Sequence, residues 1–170
     1  MVQNFNKTRK SEFKEKVIDL RRVTRVVAGG KRFRFRATIL LGDEKGKVGI
    51  GIAKGLDVAQ AVDKARTAAR KKMFTVFLDG ATIPHETISK FSAARVLIRP
   101  AAKGHGLKAG GAVRSVLLLA GVRDATSKCL GGTKNKLTNA MATLEALKSL
   151  KKRTVKSEAV KENKAEAVKE

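Results

Sequence analysis

Residues 21–36 read RRVTRVVAGGKRFRFR. The last five, Arg32-Phe33-Arg34-Phe35-Arg36, alternate strictly between cation and aromatic ring. Successive side chains of a strand point to opposite faces, so this spacing predicts a strand with arginines on one face and phenylalanines in a core on the other. Ala28-Gly29-Gly30-Lys31 predicts a tight turn before it, because paired glycines accept positive φ. Residues 17–27 and 32–41 therefore read as the two arms of an antiparallel hairpin. Seven of the sixteen residues are basic (Arg21, Arg22, Arg25, Lys31, Arg32, Arg34, Arg36) and none is acidic. A solvated face normally mixes signs, so the ribbon reads as an RNA contact. Arginine forks pair bidentately with phosphate and stack on bases, and a tip without side chains at Gly29 and Gly30 lets the backbone approach closely.

Working outward, residues 42–46 (Gly-Asp-Glu-Lys-Gly) predict a second turn and residues 47–53 a third strand. Asp57 with Gln60 three residues later suits a helix N-terminal capping box. Val58, Ala61, Val62, Ala65, Ala69 and Met73 follow as an apolar stripe at helical spacing. The expected order is three antiparallel strands and then one helix covering a face. Lys45, Lys47 and Lys54 extend the basic surface, as do Arg66, Arg70, Lys71 and Lys72, although cations at a helix C-terminus are also favoured by the helix dipole. The second half predicts a short strand at 74–78, a hairpin from 82–88 and 95–99, and a glycine-rich loop at 103–111. A helix at 112–120 ended by Gly121, a strand at 125–130 and a helix at 137–150 with Leu137, Met141, Leu144 and Leu147 inward complete it.

The chain has 170 residues, 38 lysines and arginines against 15 acids, and a formal charge of +23. Self-repulsion on that scale calls for a polyanionic partner. Apolar residues make up 42% of the chain, enough for a core. One cysteine excludes a disulfide framework, and two distant histidines cannot complete a zinc site with it. The longest purely apolar run, 116–120, is far below membrane-spanning length, and residues 1–10 carry no secretory signal. The expectation is a cytoplasmic α+β protein of two small domains. Residues 1–10 are a basic flexible start, 11–73 an RNA-binding domain, 74–150 a second α+β domain and 151–170 a disordered Lys/Glu/Ala-rich tail. Units of this size are marginal on core burial alone, so the two should lean on each other or on a partner.

The loop at 104–111 invites an enzyme reading. Its G-x-G-x-x-x-G spacing misses the dinucleotide fingerprint by one residue, and no G-x-x-x-x-G-K occurs in the chain. Pro100-x-x-x-Gly104-x-Gly106 before a helix is similar to the phosphate loop of the galactose, homoserine and mevalonate kinases, yet Leu107 and Lys108 stand where that family uses serines. His85 and His105 have no acid–base partner at a telling spacing, and Cys129 reads as a small buried hydrophobe. No catalytic, cofactor or metal site is expected. A structural or partner-binding loop is the better reading.

Taken together, VTRVVAGGKRFRF (23–35), GDEKGKVGIG (42–51), TIPHE (82–86), ARV (94–96), RPA (99–101), GHG (104–106) and AGGAVRSVL (109–117) closely resemble the small-subunit ribosomal protein S5 family, in order and from about residue 17 to 150. The resemblance implies a double-stranded-RNA-binding-like first domain without that fold's first helix, and a βαβ second domain shared with the kinases above. It implies a structural, non-enzymatic component of the small subunit that binds 16S rRNA and neighbours proteins S4 and S8 beside the messenger entry path and decoding region. It does not imply an independent homo-oligomer. The tip at 27–31 matches the segment where the family acquires spectinomycin resistance. The loop at 104–114 matches the S4 face that influences decoding fidelity, making Lys103, Gly104, Gly106, Lys108 and Arg114 the expected protein contacts. Lys103 and Lys108 replace a glutamate and an apolar residue of many members, and residues 133–141 lack the usual Asn-Pro-x-Asn. The basic cluster of ordinary double-stranded-RNA-binding domains is absent at 56–59, so regular duplex docking does not carry over. The rival readings are a free RNA-binding regulator and, more remotely, a small-molecule kinase.

Overall fold

A computed structural model describes residues 13–151. The expectations for residues 1–10, and for the tail beyond Lys151, lie outside the described residues. Alternation and paired glycines in the first half give β1 (Lys14–Val27), β2 (Gly30–Gly42) and β3 (Lys47–Gly55), followed by α1 (Val58–Lys71). The strands form one antiparallel sheet in sequence order. The two-residue strand β4 (Phe74–Thr75) was expected to open the second unit. It pairs instead with Lys47 and Val48 of β3 and extends the first sheet.

Helix α1 lies on this sheet through small residues. Ala61, Ala65 and Ala69 meet Ala37, Ile39 and Leu41. The helix backbone comes so near to β3 that a Cβ on Gly51 would overlap the Ala65 carbonyl, and one on Gly49 would sit 2.7 Å from the carbonyl oxygen of Ala69. Asp57 occupies the N-cap position, but its side chain makes no cap bond. Gln60 Oε1 accepts from the N–H of Leu56 at 3.1 Å instead, so the expected reciprocal box is replaced by one side chain reaching back.

The opposite face of the sheet is also buried. Leu40, Val48 and Ile50 belong to the larger core, together with Val113, Val116, Leu117, Ala120, Leu144 and Leu147 of the second unit. That unit consists of β5 (Thr87–Phe91), β6 (Ala94–Pro100), β7 (Leu107–Lys108), α2 (Gly111–Ala120), β8 (Ala125–Cys129) and α3 (Lys136–Lys148). Its sheet order is β5-β6-β8-β7, and β7-α2-β8 is a parallel βαβ crossover. Helices α2 and α3 lie between the two sheets. Gly121, with φ 92°, ends α2: Val122 N–H reaches Leu117 O at 3.0 Å and Gly121 N–H reaches Leu118 O at 3.1 Å. Asn135 caps α3 by accepting from the N–H of Leu137 at 3.1 Å. Leu144 and Leu147 are buried as expected. Ala140, Ala142, Thr143 and Ala146 are buried too, because α3 packs on a sheet and on α2 at once.

The hairpin of the second unit is displaced from its expected place. Its first strand spans 87–91 rather than 82–88, since Pro84 has no N–H to give a ladder. The turn is made by Ser92, at φ 55°, and Ala93, a pair without glycine. Thr82 instead bridges Asp79 and donates its hydroxyl to the carbonyl of Asp124 at 2.6 Å.

Candidate nucleic-acid interface

Residues directly opposite in an antiparallel pair share a face. The register sets Arg21 opposite Arg36, Val23 opposite Arg34 and Arg25 opposite Arg32, and Lys54 of β3 lies opposite Arg36. Five arginines and one lysine thus share one face of the ribbon. A groove of about 350 Å³ runs among them, lined by Val23, Thr24, Arg25, Val27, Arg32, Arg34 and Lys54. The tip is open: a Cβ at Gly29 or Gly30 would meet nothing within 4 Å, and Gly30 holds φ 125°. Val26 beside it is 73% exposed.

Two of the seven expected hairpin cations face the other way. Arg22 lies opposite Phe35 and Lys31 opposite Val26, on the α1 side of the sheet. The Arg22 guanidinium sits 3.8 Å from the centroid of the Phe33 ring. Phe33 was expected in the core and is 43% exposed. Strand β3 ends at Gly55, opposite Phe35, so beyond that row the ribbon has two strands and no helix over it. Phe35 packs against the α1 core as expected. The arginine stacked on Phe33 supplies the cover that the helix does not.

An acid missing from the 21–36 window lies just outside it. Asp19 Oδ2 is 2.7 Å from Arg21 Nε and 3.9 Å from an Arg36 Nη, and its side chain is 10% exposed. A bulge between Val17 and Asp19 brings this carboxylate opposite Thr38, on the arginine face. The available signal was its position two residues before Arg21, which puts it on the same face of a strand. Arg21 and Arg36 are therefore already partnered, whereas Arg25, Arg32, Arg34 and Lys54 have no ion pair among the described residues.

Other expected contacts are dispersed. Lys45 sits in the β2–β3 turn and Lys47 opens β3, and both backbone N–H groups donate to Asp43 Oδ1 at 2.8 Å. Lys54 lies seven positions along β3 from Lys47, about 23 Å, so this end of the sheet does not join the arginine face. Arg66 is held by Glu15, at 2.6 and 2.9 Å, and by Asp63 at 2.8 Å. The hydrogen bond from Arg66 holds the Glu15 carboxyl below its ordinary range against the opposing effect of burial, and the bond to Glu15 in turn raises Arg66.

In the glycine-rich loop, Gly104 and Gly106 adopt φ 86° and 77°. The N–H of Gly106 donates to Asp124 Oδ1 at 2.8 Å. Asp124 is buried and also accepts Thr82 through its backbone, so it anchors the loop, a role the sequence reading missed. Lys108 lies in β7, and Arg114 is exposed in the first turn of α2. Cys129 is half-buried in β8 against the core. Among the described residues no group of His, Cys, Asp and Glu is placed to hold a metal, and no helix is long and apolar enough to cross a membrane.

Residues 13–77 match the family described as Ribosomal protein S5, N-terminal domain, and residues 89–161 match Ribosomal protein S5, C-terminal domain. The chain belongs to the ribosomal protein S5 family. Members are structural proteins of the small subunit that bind its 16S rRNA, and this chain is accordingly a ribosomal rRNA-binding protein. The arginine face and hairpin tip lie within the match to the S5 N-terminal domain, and the loop anchored by Asp124 lies within the match to the C-terminal one.

Proposed function

We propose that the β1–β2 ribbon is the principal rRNA contact of this ribosomal protein, gripping phosphate through Arg25, Arg32, Arg34 and Lys54 while the open tip at Gly29–Gly30 lies against the RNA backbone. The observation that carries this reading is the register, which gathers these four cations around one groove with no acid among the described residues paired to them. Binding is electrostatic and shape-based, with no chemistry. The loop at 104–114, with Lys103, Lys108 and Arg114 exposed, is the face for S4, and S8 is a further neighbour. From this position in cytoplasmic ribosomes, beside the decoding region and messenger entry, the protein supports accuracy. A phosphate-binding kinase loop is disfavoured because the Asp124 carboxylate already occupies the Gly106 amide that an anion would use.

Crosslinking in cell lysate, followed by identification of the attached RNA, tests the proposal. Small-subunit rRNA joined to peptides spanning 21–36 is the expected product. Messenger RNA on those peptides, without small-subunit rRNA, would favour a free regulator.

A further inference from the structure

The hairpin has a reverse face that Arg25, Arg32, Arg34 and Lys54 do not use. On it the register sets Leu20 opposite Ala37, Arg22 opposite Phe35, Thr24 opposite Phe33 and Val26 opposite Lys31. The Arg22 guanidinium, 3.8 Å from the Phe33 centroid, covers one side of that ring, yet Phe33 stays 43% exposed. An aromatic surface is thus left open beside a stacked cation. Arg22 and Lys31 have no ion pair among the described residues, and residues 20–36 contain no acid. At the helix end of this side Leu20, Leu56 and Val58 are exposed apolar neighbours. Asp57 stands between the last two, and its carboxylate makes no cap bond.

We infer that the Phe33–Arg22 stack is a platform for an unpaired RNA base, on the reverse of the ribbon from the phosphates. The inference rests on the rRNA reading of the hairpin above and deepens it by naming a base subsite. Unstacked bases lie on aromatic rings and on arginine planes, and this side offers both in contact. Phosphate suits it poorly, because Val26, Phe33, Leu20, Leu56 and Val58 are apolar and the Asp57 carboxylate repels an anion. A base presents an apolar face to the same residues. The tip lets one strand of RNA use both sides of the ribbon. Phe33 is three residues from Gly30, about 10 Å, and neither Gly29 nor Gly30 puts a side chain in the path. A protein neighbour would call for a continuous apolar centre depleted of lysine. Toward the tip each row instead joins one apolar residue to one polar residue, Phe33 to Thr24 and Val26 to Lys31. The arginine face therefore holds the RNA backbone, and the ring on the other side holds a base.

The test uses the full chain on 16S rRNA transcript and reads affinity, its salt dependence and fluorescence. Phe33→Leu keeps an apolar side chain and removes the ring. Stacking releases no counterions, so this variant should lose at least about fivefold in affinity while keeping the parental salt slope. The comparison variant, Arg25→Gln with Arg32→Gln and Arg34→Gln, should lose slope instead. Phe33→Trp keeps a ring and gives the chain its single tryptophan. It should bind like the parent, and its emission should be quenched at saturation as a base stacks on the indole. Should Phe33→Leu melt early, the quenching decides alone. Parental affinity in Phe33→Leu, with the arginine variant impaired, would overturn the platform and leave the hairpin reading standing. Parental behaviour in both would overturn the two together. A reduced slope in Phe33→Leu would mean that the ring only braces the cations, and unquenched tryptophan at saturation would mean that no base lies on it. Either result overturns the platform. Full rRNA affinity in Phe33→Leu with failure to enter small subunits would assign the ring to a protein neighbour and overturn it as well.

Discussion

The backbone N–H of Glu44 donates to the carbonyl of Leu119 across 3.0 Å, so the β2–β3 turn of the first sheet closes the end of α2 in the second unit. This bond satisfies one of the carbonyls a helix C-terminus leaves open. The two backbones meet almost bare: a Cβ on Gly42 would overlap the Leu119 carbonyl, and one on Gly121 would overlap the carbonyl of Glu44. Lys148 Nζ, 4.9 Å from the centroid of the Phe74 ring, adds a second tie between the units. With Leu40, Val48 and Ile50 in the common core, the two units share the burial that each lacks alone.

Gly121→Ala should accordingly destabilise the whole molecule. A left-handed residue costs about 1–2 kcal/mol once it bears a Cβ, and crowding against Glu44 adds to that. The expected loss is about 2 kcal/mol or more. Denaturant melts followed separately in the two units should stay coincident, falling together. Loss of signal from the second unit alone would show that they fold independently.

Gly51→Ala tests the other side of the first sheet. Its Cβ would enter the Ala65 carbonyl, and a helix seated on three small residues cannot lift locally without opening the Ala61–Ala69 contact. Overpacking of this kind costs about 1–3 kcal/mol, measurable by chemical denaturation.

These contacts show what was legible in the sequence and what was not. The Arg-Phe alternation, the glycine pair and the alanine stripe report local geometry, and they placed β1 to β3, α1 and the end of α2. The shared core left a weaker trace. Ala37 to Leu41 is buried on both faces, and a run in which Thr38 is the one polar residue can signal a strand covered on both sides. Which element covers it is a tertiary fact that no periodicity carries. The second hairpin was misplaced because Ser92 takes a positive φ without being glycine. In the site, alternation alone assigned Phe33 to the core, whereas its burial depends on how far β3 and α1 extend. Asp19 escaped notice because the cationic window stopped two residues short of it.

Acid should loosen the contact between β1 and α1. Glu15 titrates below its ordinary range in the folded chain because of the Arg66 bond, so its stabilising contribution is present above the ordinary glutamate range and is lost as pH falls through the lowered value. Both side chains are substantially exposed, which limits the contribution to below about 1 kcal/mol. Glu15→Gln should lower stability slightly at neutral pH and flatten the acid limb of a stability-against-pH curve. An unchanged limb would mean the pair contributes nothing in solution.

Asp19→Asn should strengthen RNA binding while weakening the fold. It removes the carboxylate that faces Arg21 and Arg36, leaving one more uncompensated positive charge on the arginine face. The salt slope on 16S rRNA should steepen by about one unit. The melting midpoint should drop slightly, because Arg21 is half exposed and an ion pair of that kind contributes up to about 1 kcal/mol. A shallower slope would mean that Asp19 organises the arginines for RNA rather than neutralising them.

The central claim is that the unpaired arginines of the ribbon hold rRNA by displacing counterions. Arg25→Gln, Arg32→Gln and Arg34→Gln together remove three charges from one face, leaving the Asp19 pairs and the Arg22–Phe33 stack in place. The measurement is the dependence of log affinity for 16S rRNA on log salt concentration, for the parent and this variant, with circular dichroism confirming the same fold. The slope should fall by about two to three units, at roughly 0.7–0.9 per phosphate contact. A slope and affinity equal to the parent's would contradict the claim and reduce the ribbon to a solvated face.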